Sequence, residues 1–267
     1  MTTTRTLNDG AFGVSDDARI VAAWWRAATH VVVLTGAGMS AESGVPTFRD
    51  AQTGLWARYD PLQLASPEGF ARDPATVWRW YAWRRDAVRQ AQPHAGHDAL
   101  ARLEHGAARV TLVTQNVDGL HGRAGSRAPI ELHGNILGSH CLENCGVVLS
   151  DRDCLPAGEP PPCPRCGAWL RPSVVWFGEA LPVEPLRRAQ QAALDCQLML
   201  VVGTSGLVYP AAGLPDLARR QGARVVIVNP HATELDDRAD RLWRATAARA
   251  LPELAASLAG DACGPRG

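Results

Sequence analysis

Val31-Val32-Val33-Leu34-Thr35-Gly36-Ala37-Gly38-Met39-Ser40 is the stretch on which the fold turns. A continuous apolar run closed by glycine reads as a strand buried on both faces, which is the habit of parallel sheets. Upstream, Ser15 is a good N-cap, and Ala18, Val21, Trp25 and Ala28 recur at helical spacing, predicting a helix that leads into this strand. Downstream the alternation returns. Residues 109–113 read as a strand after a helix over about 97–103, residues 198–202 follow a helix near 185–194, and residues 225–228 follow one near 211–220. Strands alternating with helices predict an α/β fold: a Rossmann-like parallel sheet with helices on both faces. Its ligand belongs at the carboxyl ends of the strands.

Two stretches interrupt this rhythm. Residues 46–91 contain one well-marked helix, with Asp73 as cap and Pro74 at its first position, and several Trp. Residues 141–171 are rich in Cys, Pro and Gly. Read together they form a smaller inserted domain, a helical module (46–91) beside a zinc-binding module (141–171). Segments 15–45, 92–140 and 172–260 then make up the discontinuous Rossmann-like domain.

The whole chain has 267 residues, enough to bury a core, and its 46% hydrophobic and 20% charged content excludes a disordered protein. The 27 basic residues balance the 27 acidic ones, so neither nucleic acid nor a membrane surface is an expected partner. Every basic residue is Arg, which excludes a P-loop or Schiff-base lysine. No apolar run nears the roughly 18 residues of a membrane span, and the N-terminus lacks the sections of a signal peptide. The expected location is the cytoplasm.

The cysteines there suggest metal rather than disulfides. Cys141 and Cys145 form one close pair, Cys163 and Cys166 another, joined by a short Pro/Gly-rich loop. Four thiolates so spaced can surround one tetrahedral zinc ion and leave no open coordination position, so the metal is expected to be structural. Reduced core cysteines are the rival reading. Cys196 and Cys263 stand apart as ordinary small residues.

Glycines after a strand let backbone N–H groups approach a pyrophosphate. Here the whole string GAGMSAESGVPTFR, from Gly36 to Arg49, resembles the NAD-binding loop of sirtuins, the NAD-dependent protein lysine deacylases. The resemblance extends to TQNVDGLH at 114–121, ELHG at 131–134, PSVVWFGE at 172–179, Gly203-Thr204-Ser205 and Val228-Asn229, and spans about residues 31–252. The first cysteine pair is one residue wider than the commonest sirtuin spacing, so an exchange with Cys154 stays open.

The resemblance implies roles for individual residues. His133 is the general base, Asn116 positions a ribose or a water, and Asp118 holds the nicotinamide carboxamide; His121 is given a packing role. Gly36, Ala37, Gly38, Glu42, Thr47, Phe48, Arg49, Trp56 and Gln115 belong to the NAD site, with Phe48 screening the reacting ribose carbon. Gly203, Thr204, Ser205 and Asn229 complete the adenosine side, with Ala247 near the adenine, although Ala245 replaces a glycine usual in the family. Val175, Trp176, Phe177 and Gly178 pair with the substrate peptide. The implied chemistry needs no side-chain nucleophile. The amide oxygen of an acylated lysine attacks the ribose carbon as nicotinamide leaves, and His133 then takes a proton from a ribose hydroxyl that attacks the resulting imidate. Water completes the release of lysine and acyl-ADP-ribose.

Tyr81 and Arg84 lie three apart on the predicted helix and share a face. They match the Tyr-x-x-Arg pair of the desuccinylase and demalonylase branch, and Ala65 matches the small residue that widens that branch's acyl pocket. A guanidinium fork can bind the carboxylate of a succinyl or malonyl group. The expected activity is therefore removal of succinyl, malonyl and acetyl groups. A plain deacetylase, a mono-ADP-ribosyltransferase and a non-catalytic NAD sensor are the alternatives. The bland reading of Arg84 makes it a solvated helix residue, as Arg85 is taken to be.

Overall fold

The computed structural model describes residues 14–45, 60–150 and 156–260. The elements run α1 (Asp16–Ala27), β1 (His30–Thr35), α2 (Pro61–Leu64), α3 (Pro67–Arg72), α4 (Pro74–Gln90), α5 (Ala95–Leu103), β2 (Arg109–Thr114) and α6 (Leu120–Arg123). They continue β3 (Ile130–Glu131), β4 (Gly134–Cys141), β5 (Val148–Leu149), β6 (Leu170–Val174), α7 (Val183–Asp195), β7 (Leu198–Val202), α8 (Leu214–Arg220), β8 (Arg224–Val228), β9 (Arg241–Trp243) and α9 (Ala247–Gly260).

Six strands form one parallel sheet in the order β3-β2-β1-β7-β8-β9. Every residue of β1 is buried, as the continuous apolar run requires for a strand between two layers of helices. Its alternate side chains supply two separate cores. Val31 and Val33 join α1, α5 and α9 on one face, while Val32 and Leu34 join α7 and α8 on the other. The helix α1 begins where Ser15 accepts a hydrogen bond from the Ala18 N–H at 3.2 Å, and its buried face is Ala18, Val21, Ala22 and Trp25.

β1 lies between β2 and β7, so at its carboxyl end the chain turns one way to β2 and later returns on the other side. That is the crevice where a parallel sheet binds its ligand. The loops meet there backbone to backbone: Gly36 N–H donates to Val202 O at 3.0 Å and Gly38 N–H to Gly203 O at 2.7 Å. A Cβ on Gly38 would lie 2.8 Å from Gly203 Cα, which no side chain tolerates.

A second sheet is antiparallel, in the order β5-β4-β6, with a register shift in β4 between Gly134 and Ser139. The region between β1 and β2 holds more helix than expected, since α2 and α3 precede the anticipated α4. Ser66 accepts from Gly69 N–H at 3.0 Å and Asp73 from Thr76 N–H at 3.0 Å, so α3 and α4 are each capped by the side chain of the residue before them. Such four- and six-residue helices are too short to show a periodicity in the sequence.

Arg85 corrects an expectation. It is 5% exposed, far from solvated, because α4 packs that face against β4.

Candidate active site

The loops at the carboxyl ends of β1 and β2 converge with the small sheet and α4 around one cavity of about 300 Å³. Ala37, Gln115, Asn116, Asp118 and His133 line one part of it. Ala65, Tyr81 and Arg84 line another, and Val175, Trp176, Phe177 and Gly178 form a wall. Residues from five separate sequence motifs thus meet in one space.

His133 sits between β3 and β4. The Gly134 that follows has φ +78°, and a Cβ there would lie 2.2 Å from Ser173 O, so only glycine lets the chain turn past β6 after this histidine. The His133 Nδ1 lies 2.8 Å from the Gln115 carbonyl oxygen. A carbonyl can only accept, so Nδ1 carries the proton and Nε2 keeps its lone pair. Burial holds the imidazole below its ordinary pKa, against the opposing pull of that hydrogen bond. The result is a neutral ring with a basic nitrogen.

Asn116 and Asp118 are joined through a residue that sequence reasoning left unassigned. Ser40 Oγ donates to Asp118 Oδ2 at 2.7 Å and accepts from Asn116 Nδ2 at 3.0 Å, while the same Asn116 nitrogen reaches Gly36 O at 2.9 Å. Ser40 stands inside the quoted glycine string, yet nothing in that string marks it as a bridge to residues 76 or 78 positions away. Burial pushes the Asp118 carboxyl above its usual range, opposed by the Leu120 N–H, the Ser40 hydroxyl and the Arg84 and Arg123 guanidinium groups. Val208 and Tyr209 also line the cavity, from the loop after β7, and carried no signal in the sequence.

At the part of the cavity lined by Ala65, Tyr81 and Arg84, Tyr81 is fully packed at 2% exposure. Its hydroxyl oxygen accepts the Trp176 indole N–H at 3.0 Å, which leaves its own proton to be donated. Arg84 lies 4.8 Å from the Trp80 ring centroid and 5.8 Å from that of Tyr81. Ala65 is brought to this end because its carbonyl accepts from Phe177 N–H at 2.9 Å.

The remaining nucleotide candidates stand outside this cavity, along β7 and β8. Gln115 Nε2 donates to Thr204 Oγ1 at 3.0 Å, and Asn229 Nδ2 to Thr204 O at 3.3 Å, which ties their strand ends together. Gly203 and Ser205 flank that threonine, and Ala247 opens α9. Glu42 accepts from the Ala248 N–H at 3.0 Å, so its carboxylate caps the start of α9. Thr47, Phe48, Arg49, Trp56, Cys154 and Cys263 lie outside the described residues.

The four expected cysteines come together. Their sulfurs all lie within 4.8 Å of one another, and Cys141–Cys166 and Cys145–Cys163 are each 3.4 Å apart. Four sulfurs around one zinc at about 2.3 Å stand roughly 3.8 Å apart, so the set fits a single tetrahedral ion. No disulfide links them. Among the described residues this is the only cluster of metal-ligating side chains so placed.

A doubly wound parallel sheet with a ligand crevice at its switch point, beside a four-cysteine metal site, defines a dinucleotide-binding class of protein. Comparison makes this specific. Residues 36–210 match the Sir2 family, and the chain belongs to that family. It is 55% identical over 236 residues to an NAD-dependent protein deacylase of Ralstonia nicotianae, covering 88% of this chain and 94% of that one. It is 51% identical to NAD-dependent protein deacylase 1 of Pseudomonas aeruginosa, covering 85% and 93%. Among solved structures, a Sir2 homolog–NAD complex superposes with a TM-score of 0.87 at 41% identity, covering 94% of this chain and 97% of the other. Sir2Af2 bound to a myristoylated histone peptide superposes with a TM-score of 0.76 at 35% identity, covering 91% and 96%.

Proposed function

We propose that the protein is an NAD-dependent protein lysine deacylase that removes succinyl, malonyl and acetyl groups, releasing nicotinamide and acyl-ADP-ribose. The observation that carries this reading is the single cavity shared by His133, Asn116 and Asp118 at one end and Tyr81 and Arg84 at the other. The names of the relatives and the NAD complex of a structural neighbour support the cosubstrate and the reaction class.

NAD enters as a substrate at the carboxyl edge of the parallel sheet. Gly36, Ala37, Gly38 and Gln115 bound its phosphate and nicotinamide-ribose end, together with Thr47, Phe48, Arg49 and Trp56. Gly203, Thr204, Ser205, Asn229 and Ala247 take the adenosine, and Glu42 supports the loop by capping α9. Asp118 is held by Ser40 and Leu120 so that it can face the carboxamide, and Asn116 is oriented by the same serine toward the ribose. The free Nε2 of His133 accepts the proton of a ribose hydroxyl, and its neutrality near pH 7 suits it to that step. The peptide lies against Val175–Gly178. Arg84 and the donated proton of Tyr81 take the acyl carboxylate, with Ala65 leaving room for it.

Cys141, Cys145, Cys163 and Cys166 would hold one zinc ion, and with four protein ligands it would supply rigidity, not reaction chemistry. The chain is proposed to divide into a Rossmann-like unit (15–45, 92–140, 172–260) and a smaller unit (46–91, 141–171). The two buried cores flanking the parallel sheet support the first. The Trp78 Nε1–H bond to Pro156 O at 2.7 Å supports the second, since it ties the helical and cysteine modules together. A cytoplasmic location, with acylated proteins and neither membrane nor nucleic acid as partners, is also proposed. In its support, no described helix is long and apolar enough to cross a membrane, and the net charge is zero.

Nicotinamide release measured with and without acyl-lysine peptides tests the reading. A deacylase releases nicotinamide in step with free lysine. A transferase would release it with ADP-ribosylated protein and no deacylated peptide, and an NAD sensor would release none.

A further inference from the structure

We infer that Arg85 is a positioning residue for acyl recognition: it locks α4 in rotation against β4 and so decides where Arg84 stands in the cavity. This inference rests on the carboxylate-clamp reading of Tyr81 and Arg84 given above.

Among the described residues that line the cavity Arg85 is absent, and its contacts lie on β4 and Trp78. Its Nε donates to Ile136 O at 2.7 Å, and its Nη2 donates to Ser139 Oγ at 2.9 Å and to Gly138 O at 3.3 Å. The guanidinium carbon sits 4.8 Å from the Trp78 ring centroid, one face of the fork resting on the indole. All three acceptors belong to the stretch of β4 where its register with β6 shifts between Gly134 and Ser139. A register shift interrupts the regular ladder, and buried carbonyls beside it need another donor. The fork supplies it.

Geometry links this anchor to specificity. Neighbouring residues on an α-helix project about 100° apart, so Arg84 and Arg85 serve different surfaces of the same helix. Trp78 and Arg85, seven apart, face β4; Tyr81 and Arg84, three apart, face the cavity. The strand that receives Arg85 starts one residue after His133. The fork therefore connects the chain segment carrying the base to the helix carrying the acyl contacts. Without it, α4 can roll, and a roll displaces Arg84 while leaving the base in place.

The test is Arg85→Met, which keeps the stem and removes the fork, assayed on matched succinyl-lysine and acetyl-lysine peptides in the full-length protein. The expected result is a kcat/KM for the succinyl peptide that falls about tenfold further than that for the acetyl peptide, with the difference in KM. Arg85→Lys, a point donor that cannot span three acceptors, should shift the same ratio by a smaller factor. Zinc content and melting temperature are followed alongside. Equal losses on both peptides, or no loss on either, would overturn the inference. Should Arg85→Met fail to fold, the Lys variant decides on the same ratio. Arg84→Met is run in parallel. If it discriminates and the Arg85 variants do not, only the inference about Arg85 falls. If it does not discriminate, the clamp itself is wrong and this inference falls with it.

Discussion

The two sheets of this protein are held together by different physics. The six-stranded sheet is sandwiched between two continuous apolar layers, and Val31, Val32, Val33 and Leu34 at its centre are all 0% exposed. Each such side chain contributes about 1.5–3 kcal/mol by burial, so this sheet needs no ligand to exist. Around the cysteines the buried cluster is Trp78, Cys141, Cys163 and Leu170, and two of those four are metal ligands. There is too little apolar surface there to organise a Pro-rich loop. What this contrast teaches is that the edge of the parallel sheet is preformed by the core, whereas the segment that leaves β4 and returns into β6 has little core of its own and carries the four thiolates that could hold a metal.

The sharpest way to break the comparison is to remove the metal. Zinc binding and folding are one equilibrium in such modules, with ligation worth on the order of 10 kcal/mol in isolated ones. Cys141→Ala or Cys166→Ala is expected to lose bound zinc and stability together, while Cys154→Ala keeps one zinc per chain. Metal analysis with thermal melts checks this; a Cys154 variant without zinc would show that the ligand set is different. The parallel sheet should keep its hydrogen-exchange protection longer than β4–β6 as zinc is chelated.

A second test acts at the nucleotide edge alone. His133→Ala should lower deacylation by about 10²–10⁴-fold, with nicotinamide exchange partly retained because it precedes the proton transfer. Labelled nicotinamide reads both. Turnover within a few-fold of wild type would show that another group is the base.

The third test acts at the acyl end. Arg84→Met should reduce desuccinylation tenfold to a hundredfold more than deacetylation, from the loss of a charged hydrogen bond of about 1.5–3 kcal/mol, and Tyr81→Phe should do the same more mildly. Matched peptides measure the ratio. An unchanged ratio leaves a deacetylase without carboxylate preference.

The last test concerns acid and reaches the core beside the site rather than the site itself. His97 and His121, packed 5.0 Å apart between centroids, are held by burial at pKa values of about 3 and about 4. Their unfolded values are near 6.5, so below that pH the unfolded chain takes up protons that the folded chain refuses. Stability should fall as pH drops from about 6.5 toward 4, by at most roughly 1.4 kcal/mol per pH unit for each histidine. Urea titrations at several pH values check the slope. His97→Gln, which cannot titrate, should flatten it, and an unchanged slope would assign the acid sensitivity elsewhere.

Much of this was legible in one dimension because it is set by short-range rules. A buried parallel strand must be a continuous apolar run, a close backbone approach must use glycine, and a capped helix announces itself with Ser15 or Asp73-Pro74. Two cysteine pairs at short spacing declare a tetrahedral site. These facts come from steric and coordination chemistry within a few residues, so residues 31–40 and the four cysteines were sufficient. What tertiary structure alone decided are the contacts made across long separations. Ser40 bridges Asn116 and Asp118, the His133 tautomer depends on the carbonyl of Gln115, and Tyr81 has its phenol oriented by Trp176. Arg85 is the clearest case, since its neighbour Arg84 has the same chemistry and the opposite fate. A helix turns about 100° per residue, and which of two adjacent arginines meets the cavity or β4 is settled only when that helix docks.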